Sequence, residues 1–311
     1  MRIFRHLVIA FLFTAPLATL AAISAGDLPA TSQWYFHVDF KEMRSTDAGR
    51  ILYGWLEDEV FDDVQEDAGV DLNKEADSVT AFSADGNGVV VIIDGNISQE
   101  TEDKVLAMGA VAGTLDKFES GGHSYYYVAD DGRHAVDGDE HRNVDIDMDS
   151  FDDGAFISFA IDRKLLVTSS KAGMQALLAD DGKVSGSKGG KGALFVLTAE
   201  RSFVQAGAST GNLGDDLDWD SNILRNTEHA ALLIADKAGK IAIEAELVTT
   251  ENEMADSLAS IVRGLISLQV FNDDMEPEFA QFLQNTSVDV DGNKLTISVA
   301  LDPEAVVAAI D

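Results

Sequence analysis

One order of sequence elements occurs twice along this chain, and it constrains the fold more than any other feature. An apolar strand opens each half, at 34–40 and again at 193–199. Each half continues through a helical or Gly- and Asp-rich stretch to a hairpin, a helix and a second hairpin. Strands repeat every two residues and helices every three to four, so apolar spacing separates them. The sequence predicts an α+β fold of two tandem similar units, each strand-helix-hairpin-helix-hairpin, with mainly antiparallel sheet.

The hairpins are recognised by glycine-containing turns between apolar runs. Glycine supplies the positive φ that tight hairpin turns require. The repeated hairpins lie at 78–97, 115–129, 230–249 and 287–301. We expect residues 33–129 and 193–301 to superpose element by element. The hairpin at 155–169 and a short helix near 171–178 would then be an extra piece of the first half.

The returning strands of the first hairpin in each half have different patterns. Residues 89–93 form a continuous run of Val and Ile, which predicts a strand buried on both faces. The strand at 241–247 instead alternates apolar residues with Glu244 and Glu246. Alternation predicts that one face of this strand, the face with the glutamates, lies in solvent.

The N-terminal segment has the three parts of an export signal. Arg2 and Arg5 precede an apolar run, and small residues follow it. The run is too short for a helix that spans a bilayer, which disfavours an uncleaved anchor. We expect residues 1–24 to be a signal peptide, cleaved after Ala21 or Ser24, and the mature protein to be periplasmic or secreted, with no membrane insertion.

The chain is strongly acidic and contains no cysteine. Its 55 Asp and Glu against 22 Lys and Arg give a formal net charge of −33, which becomes −35 when Arg2 and Arg5 leave with the signal. Such a field repels phosphate backbones and anionic lipid headgroups, so nucleic acid and membranes are disfavoured as partners. A protein or small-molecule partner is left. The absence of cysteine excludes disulfides and thiol chemistry.

Composition also suggests where the two units meet. The segment 183–192 is rich in Gly, Ser and Lys, as flexible linkers are. We therefore predict a first α+β unit over 27–182, with an acidic insertion at 130–154, and a second over 193–311.

The strand Phe36-His37-Val38-Asp39-Phe40, followed by Met43-Arg44-Ser45 and a helix, resembles a set of uncharacterised exported bacterial proteins. The similarity covers most of the mature chain as an order of elements. The resemblance implies a duplicated α+β domain outside the cytoplasm. It implies no activity, since it includes no catalytic motif.

The acidic insertion is a candidate calcium site. It holds ten carboxylates within 24 positions, and like charges this dense repel one another unless cations intervene. Three of its aspartates match positions one, three and five of an EF-hand loop. The candidate ligands are Asp145, Asp147, Asp149 and Asp153.

That loop departs from the EF-hand at two defining positions. Ser150 stands where Gly makes the sharp turn, and Phe156 where a bidentate Glu closes the shell. Asp216, Asp218 and Asp220 repeat the same opening and fail at the same two positions. We therefore expect weak Ca²⁺ binding, and the alternative is a solvated acidic loop.

Two further groups could carry chemistry. His37 and Asp39 share one face of a strand, where they would form a proton relay, half a metal site, or a polar face satisfied by its neighbours. Tyr125 and Tyr127 share a face, with Tyr126 opposite, and would bind carbohydrate or peptide, or pack as ordinary strand residues.

Two local signatures of enzyme classes are absent. The sequence has neither a Walker A loop nor an H-E-x-x-H helix. Whether the protein is an enzyme is left open, and the composition favours a non-catalytic binding or scaffold protein. The alternative is an extracytoplasmic hydrolase with a dispersed active site, for which no catalytic residue can be named.

Overall fold

The structure is a computed structural model in which residues 32–61, 65, 71–84, 88–130, 151, 154–184, 192–204, 226–270, 283 and 285–310 are described. The strands are β1 (Trp34–Asp39), β2 (Ala76–Ala84), β3 (Gly88–Gly95), β4 (Gly113–Ser120), β5 (His123–Asp130), β6 (Ala155–Ser158), β7 (Lys164–Thr168), β8 (Ala193–Glu200), β9 (Thr227–Lys237), β10 (Lys240–Thr249), β11 (Thr286–Asp291) and β12 (Lys294–Leu301). The helices are α1 (Phe40–Ser45), α2 (Asp47–Leu56, continued by a π-helical turn at Glu57–Phe61), α3 (Leu72–Glu75), α4 (Gln99–Ala112), α5 (Lys171–Ala179), α6 (Asn252–Val270) and α7 (Pro303–Ile310). The fold is mixed α and β, dominated by antiparallel sheet.

The chain divides into two compact units. The first unit is built from Pro29–Lys41 and Tyr53–Gly186, and the second from Glu42–Leu52 and Ser187–Asp311. The strand order is β1-β2-β3-β7-β6-β5-β4 in the first unit and β8-β9-β10-β12-β11 in the second. Most of the predicted linker and acidic insertion lies outside the described residues. None of the described helices is both long and apolar enough to cross a membrane.

The predicted hairpins are present. β9 and β10 join through Ala238 and Gly239, both with positive φ (55° and 79°), and β4 and β5 through Gly121 and Gly122 (60° and 87°). Positive φ at both central residues is the backbone of a type I′ turn, whose twist matches that of the strands. Ala238 adopts this conformation without being a glycine.

The third strand of each unit pairs differently from the predicted correspondence. β3 pairs with β7, and β10 pairs with β12. Hairpin β6–β7 therefore takes the place beside β3 that β11–β12 takes beside β10. The expectation that residues 115–129 correspond to 287–301 is wrong.

The side chains of the two competing strands explain this pairing. In β7, Leu165 and Leu166 are both buried, as suits a strand inside a sheet. In β4, Asp116, Lys117 and Glu119 are exposed, as suits the last strand of a sheet, where charges oppose further pairing.

The burial of the two returning strands is only partly as predicted. Four of the five residues in the 89–93 run are buried and Val91 is half-buried, which confirms an interior strand. Glu244 and Glu246 are only 9% and 7% exposed, so the prediction that this face lies in solvent is wrong. Both glutamates belong to β10, which pairs with β9 on one side and β12 on the other. Glu246 also forms an ion pair with Lys294.

The opposite face of the second unit's sheet is apolar and packs under α6. Leu258 and Val262 of this helix contact Val288, Leu295 and Ile297 in one buried cluster. The 19-residue helix places these residues on a single face at four-residue spacing. Because α6 covers the apolar face, the candidate functional residues of this sheet are those on the opposite face, which carries Glu244 and Glu246.

Candidate functional site

Five side chains form a polar face on the sheet of the second unit. They are Thr198 and Glu200 on β8, His229 on β9, and Glu244 and Glu246 on β10. The register pairs Glu200 with His229, and Ala231 with both Thr198 and Glu246. Paired residues project to the same side of an antiparallel sheet, as do alternate residues along one strand, so all five share one face. We refer to these five residues as the polar face.

His229 is the central residue of the polar face. It is 4% exposed, and neither Nδ1 nor Nε2 has a hydrogen-bond partner among the described residues. Nδ1 lies 3.4 Å from Oε1 of Glu200, an ion-pair distance for a protonated imidazole, but without the geometry of a hydrogen bond. A neutral imidazole has one donor and one acceptor to satisfy, and a charged one has two donors.

Thr198 presents a second unsatisfied group beside the imidazole. It is 1% exposed, and its Oγ1 also lacks a hydrogen-bond partner in the described part of the chain. Thr198 and His229 are diagonal neighbours across β8 and β9, a relation that brings side chains within reach of one small group. A buried polar group left without a partner costs about 1–3 kcal/mol, so three such atoms destabilise the ligand-free protein appreciably.

The charges around these atoms are mainly negative. Glu200 keeps 35% of its side chain exposed, which makes it the solvent-facing end of the polar face. Glu246 is 8% exposed at its side chain and accepts a hydrogen bond from Nζ of Lys294 at 3.0 Å. Lys294 thus offsets the charge of Glu246.

The candidate pair His37 and Asp39 belongs to a different polar cluster, in the first unit. His37 is 1% exposed, and its Nδ1 lies 2.8 Å from Oγ1 of Thr80 on the neighbouring strand. Tyr35, on the same face, also bonds to Thr80, while burial raises the pKa of its hydroxyl to about 12. Asp39 is half-buried. For Nδ1 of His37, the contact with Thr80 matches the alternative in which neighbours satisfy the strand's polar groups.

The three tyrosines pack as ordinary strand residues. Tyr125 is 1% exposed, stacks on Phe118 with ring centroids 5.4 Å apart, and accepts a hydrogen bond from Gln175 at 3.2 Å. Tyr127 packs on Phe156 at 4.8 Å. Tyr125 is therefore inaccessible to a carbohydrate or peptide, and the packing interpretation is confirmed for it.

The predicted metal ligands Asp145, Asp147, Asp149 and Asp153 lie outside the described residues. Within the described ranges no group of three or more His, Asp and Glu side chains could hold a metal ion. The calcium interpretation of the 130–154 insertion therefore stays a prediction.

One cleft of the first unit, of about 150 Å³, lies apart from the histidines. Its lining is mainly polar and includes Ser98, Glu102, Arg163 and Lys164. Arg163 and Lys164 form ion pairs with Asp77 and Asp94, so the cleft's cations are already neutralised. Its hydroxyl group, Oγ of Ser98, donates to Oε1 of Glu75 at 2.6 Å and accepts from the amide of Thr101 at 3.1 Å, so it serves as the cap of α4.

Sequence reasoning missed His229 and Thr198. A signal was present, because β9 and β10 are consecutive strands of one hairpin, which places His229 on the face of Glu246 by parity. The alternating pattern predicted that this face lies in solvent, where polar residues are ordinary. Its polar residues become candidates for a site only because the face is buried, and no local sequence pattern indicates that burial.

Comparison with known proteins yields a likeness in structure alone. No protein-family model matches the chain, and no curated protein matches it in sequence. Solved structures of TP0453 are similar to it. Crystal form III aligns with a TM-score of 0.49 at 9% identity, over 96% of this chain and 99% of that chain. Crystal form IV gives 0.48 at 11% identity, over 93% and 97%, and crystal form I gives 0.46 at 9% identity, over 94% and 98%.

Proposed function

We propose that this chain is an exported, soluble, non-catalytic binding protein of the periplasm or cell exterior, and that the polar face of its second unit is the binding site. The observation that carries the proposal is the set of three buried polar atoms, Nδ1 and Nε2 of His229 and Oγ1 of Thr198, without partners among the described residues. Native proteins pair almost all such atoms, so each of these three calls for a partner that the described residues do not supply. A bound ligand would supply the missing hydrogen bonds.

The alternative, an extracytoplasmic hydrolase, has less support. Its nearest geometric match is the pair of His37 and Thr80, which resembles a base beside a nucleophile at 2.8 Å. Both residues are at least 96% buried, and the Thr80 hydroxyl is shared with Tyr35. A nucleophile has to reach a substrate carbonyl, so this pair is better suited to holding β1 and β2 together.

The duplication is part of the same proposal, in a revised form. The order β1-β2-β3-β7-β6 has the connectivity of β8-β9-β10-β12-β11, with a helix following the last strand in both. Lys164 opens β7 and pairs with Asp94 of β3, while Lys294 opens β12 and pairs with Glu246 of β10. We regard β4–β5 as an insertion into the first copy. Superposing β1–β3, β6 and β7 on the five strands of the second unit tests this correspondence.

Export is tested by the intact mass of the protein from its native host. A mature N-terminus at Ala22 or Ala25 supports it. A chain that retains Met1 in the cytoplasm contradicts it.

Binding is tested by thermal unfolding in the presence of a set of small polar molecules at fixed ionic strength. We expect at least one of them to raise the unfolding midpoint of the wild-type chain. The same molecule should not change the midpoints of Thr198→Val and His229→Gln. The matched controls are Thr80→Val and His123→Gln, which alter a threonine and a histidine outside the polar face and should keep the response. A response that survives in both polar-face variants, or none in any chain, overturns the proposal.

A further inference from the structure

The cover that α6 gives to the apolar face of the second unit is incomplete. The buried cluster beneath the helix takes its sheet residues, such as Val288, Leu295 and Ile297, from β10, β11 and β12. The strand order in this unit is β8-β9-β10-β12-β11, and α6 contacts the last three of these strands. The part of the apolar face that β8 and β9 form therefore lies beside the helix.

Leucine and isoleucine side chains continue the apolar face across β9 and β8. The register pairs Leu232 of β9 with Ala245 of β10 and with Leu197 of β8, and paired residues project to the same side of an antiparallel sheet. Ile234, two residues along β9, shares that side. Leu197, Leu232 and Ile234 are half-buried, whereas Leu295 beneath α6 is 1% exposed. A strip of partly accessible apolar surface therefore runs along β8 and β9.

One flank of α6 forms a wall along this strip. Nη2 of Arg263 donates to the carbonyl of Val288, so the Arg263 flank of the helix faces β11 at the edge of the sheet. Ile261 and Leu265 are each two residues from Arg263, about 200° around the helix, and they face the opposite way, toward β9. Leu268 lies one turn beyond Leu265 on the same flank. We refer to Leu197, Leu232, Ile234, Ile261, Leu265 and Leu268 as the apolar shelf.

The exposure of the helical part of the apolar shelf is unusual for this protein. Ile261 is 48% exposed and Leu268 is 72% exposed, and in the described part of the chain the other exposed large apolar residues are Met108 and Val111 of α4. Single exposed apolar residues need no explanation. Here, however, two of them adjoin half-buried apolar surface on two strands, and contiguous apolar surface of this kind indicates an interaction site.

The width of the strip matches an α-helix. Neighbouring strands lie about 4.8 Å apart, so β8 and β9 together present a strip about 10 Å wide. A helix with its side chains is about 10–12 Å across, and it packs on a sheet through apolar residues at three- and four-residue spacing, as α6 does. A second helix beside α6 would cover the strip and contact Ile261 and Leu268 with its side. A single alkyl chain is narrower and would leave part of the strip in solvent.

The charges around the apolar shelf favour a basic partner. None of its six residues is charged, and the exposed carboxylates of Glu228 and Glu253 lie at the end where α6 begins. The amide of Thr250 donates to the carbonyl of Asn226, which holds that end of the helix beside the start of β9. The net charge of −33 attracts a cationic partner and repels an acidic one. A second copy of this chain carries the same charge and is disfavoured as the occupant for that reason.

We propose that the apolar shelf binds a basic amphipathic helix of a partner protein. The partner helix lies alongside α6, with its apolar face on β8 and β9 and its Lys and Arg side chains in solvent and near the carboxylates of Glu228 and Glu253. The apolar shelf and the polar face are on opposite sides of the same sheet, so this proposal is independent of the proposed function.

The test is a fluorescence-anisotropy titration of the full mature chain with labelled synthetic peptides at physiological ionic strength. The first peptide has Leu at three- and four-residue spacing and Lys elsewhere. The second has the same composition in an order without an apolar face, and it is the matched control because its charge is identical. The third has Glu in place of Lys. We expect saturable one-to-one binding of the first peptide and at least tenfold weaker binding of the other two.

Variants of the two exposed residues locate the binding surface. Ile261→Ser removes apolar surface from the apolar shelf, and Leu268→Lys also adds a charge that repels a basic peptide. Both positions are exposed, so the fold should tolerate either change. Each variant should bind the first peptide at least fivefold more weakly than the wild type. Val111→Ser, which changes an exposed apolar residue of α4, is the matched control and should bind as the wild type does.

Equal binding of the first two peptides, or equal affinity of Leu268→Lys and the wild type, would mean that the peptides only screen a negative surface, and the proposal would be overturned. A dimer of the chain that Leu268→Lys dissociates, measured by sedimentation, would overturn it in favour of a second copy. Binding to phosphatidylcholine vesicles that Leu268→Lys abolishes, with no binding of the first peptide, would overturn it in favour of lipid. The polar face is tested separately, through Thr198 and His229.

Discussion

Thr80 and Thr198 are matched threonines with opposite surroundings. Each lies on a strand and is nearly fully buried, but Thr80 bonds to His37, whereas Oγ1 of Thr198 has no partner within the described residues. Threonine and valine have nearly the same shape, so the substitution removes little except the hydroxyl. Comparing the two Thr→Val variants therefore distinguishes a hydroxyl that stabilises the fold from one that we propose binds a ligand.

We expect Thr198→Val to raise the free energy of unfolding of the ligand-free protein by about 1 kcal/mol, since it removes an unsatisfied buried hydroxyl. Thr80→Val should lower it by about 1–3 kcal/mol, because it leaves Nδ1 of His37 without its partner. Urea unfolding at neutral pH measures both. A loss of stability in Thr198→Val as large as that in Thr80→Val would show that the Thr198 hydroxyl is satisfied within the chain.

Tyr35 predicts a loss of stability at alkaline pH. Its pKa is raised from 10.0 to about 12, mainly by burial, with the hydrogen bond to Thr80 acting in the opposite direction. Between these two values the unfolded chain has released the phenolic proton and the native chain retains it. The native state therefore binds more protons, and stability must fall as pH rises through this window.

We expect this contribution, about 2 kcal/mol, to be fully present below pH 10 and to disappear by about pH 12. Tyr35→Phe should flatten the fall in unfolding free energy over that window. Tyr126→Phe, which removes the hydroxyl of a half-buried tyrosine on the opposite face, is the control variant. Identical slopes in the wild type and Tyr35→Phe would contradict the assignment.

At the residue scale, parity along strands was predictable and burial was not. The sequence placed His37 and Asp39 on one face correctly, because side chains alternate along any strand. It could not show that Thr80 would bond to Nδ1 of His37, since that contact depends on the register between β1 and β2. His229 was missed for the related reason that its face was taken to be in solvent.

Among the elements, α6 offers the clearest test of packing. Leu258 is 4% exposed within the cluster beneath the helix, whereas Ile261, three residues later, is 48% exposed. Leu258→Ala should lower the free energy of unfolding by about 2–5 kcal/mol through lost burial and a residual cavity. Ile261→Ala should change it by less than about 1 kcal/mol. Comparable losses in both variants, measured by urea unfolding, would mean that the helix packs on another face.

The order of elements was predictable from the sequence, and the order of strands in the sheet was not. Hairpins are local structures, so turn glycines and apolar runs were sufficient to find the four repeated ones. The β6–β7 hairpin has no glycine at 159–163 and was found from its apolar runs alone. Which hairpin lies beside β3 is decided by non-local pairing. The charged residues of β4 and the two leucines of β7 indicate which strand pairs with β3. They do so only when the two hairpins are compared as alternative partners of β3.

The acidic insertion at 130–154 predicts a weak response to calcium. Without the EF-hand Gly and Glu, its affinity should be about 10⁻⁴–10⁻³ M, as in extracellular calcium modules. Binding would then stabilise the protein by about 0.4 kcal/mol at a free concentration equal to Kd and by about 1.4 kcal/mol at ten times that value.

This is measured by thermal unfolding with calcium titrated at constant high ionic strength. The wild type should show a larger midpoint shift than a chain in which Asp145, Asp147 and Asp149 are changed to Asn. Equal shifts would mean that calcium only screens the net charge, and the site should be dropped.

At the scale of the whole molecule, the proposed function combines a strongly acidic chain, which we propose is exported, with the polar face of its second unit. The net charge of −33 would gather cations of every kind near the surface, so loose association with cations is expected of any such protein. What distinguishes the proposed site is stoichiometry and dependence on His229 and Thr198. One bound molecule per chain requires a site, whereas screening produces a graded series of adducts.

Native mass spectrometry of the full mature chain, with the small polar molecule that raises the unfolding midpoint most and at physiological ionic strength, tests this most directly. The proposed function predicts one bound molecule in the wild type and in His123→Gln, and none in His229→Gln or Thr198→Val. A distribution of several adducts that is the same in all four chains would contradict the binding site on the polar face.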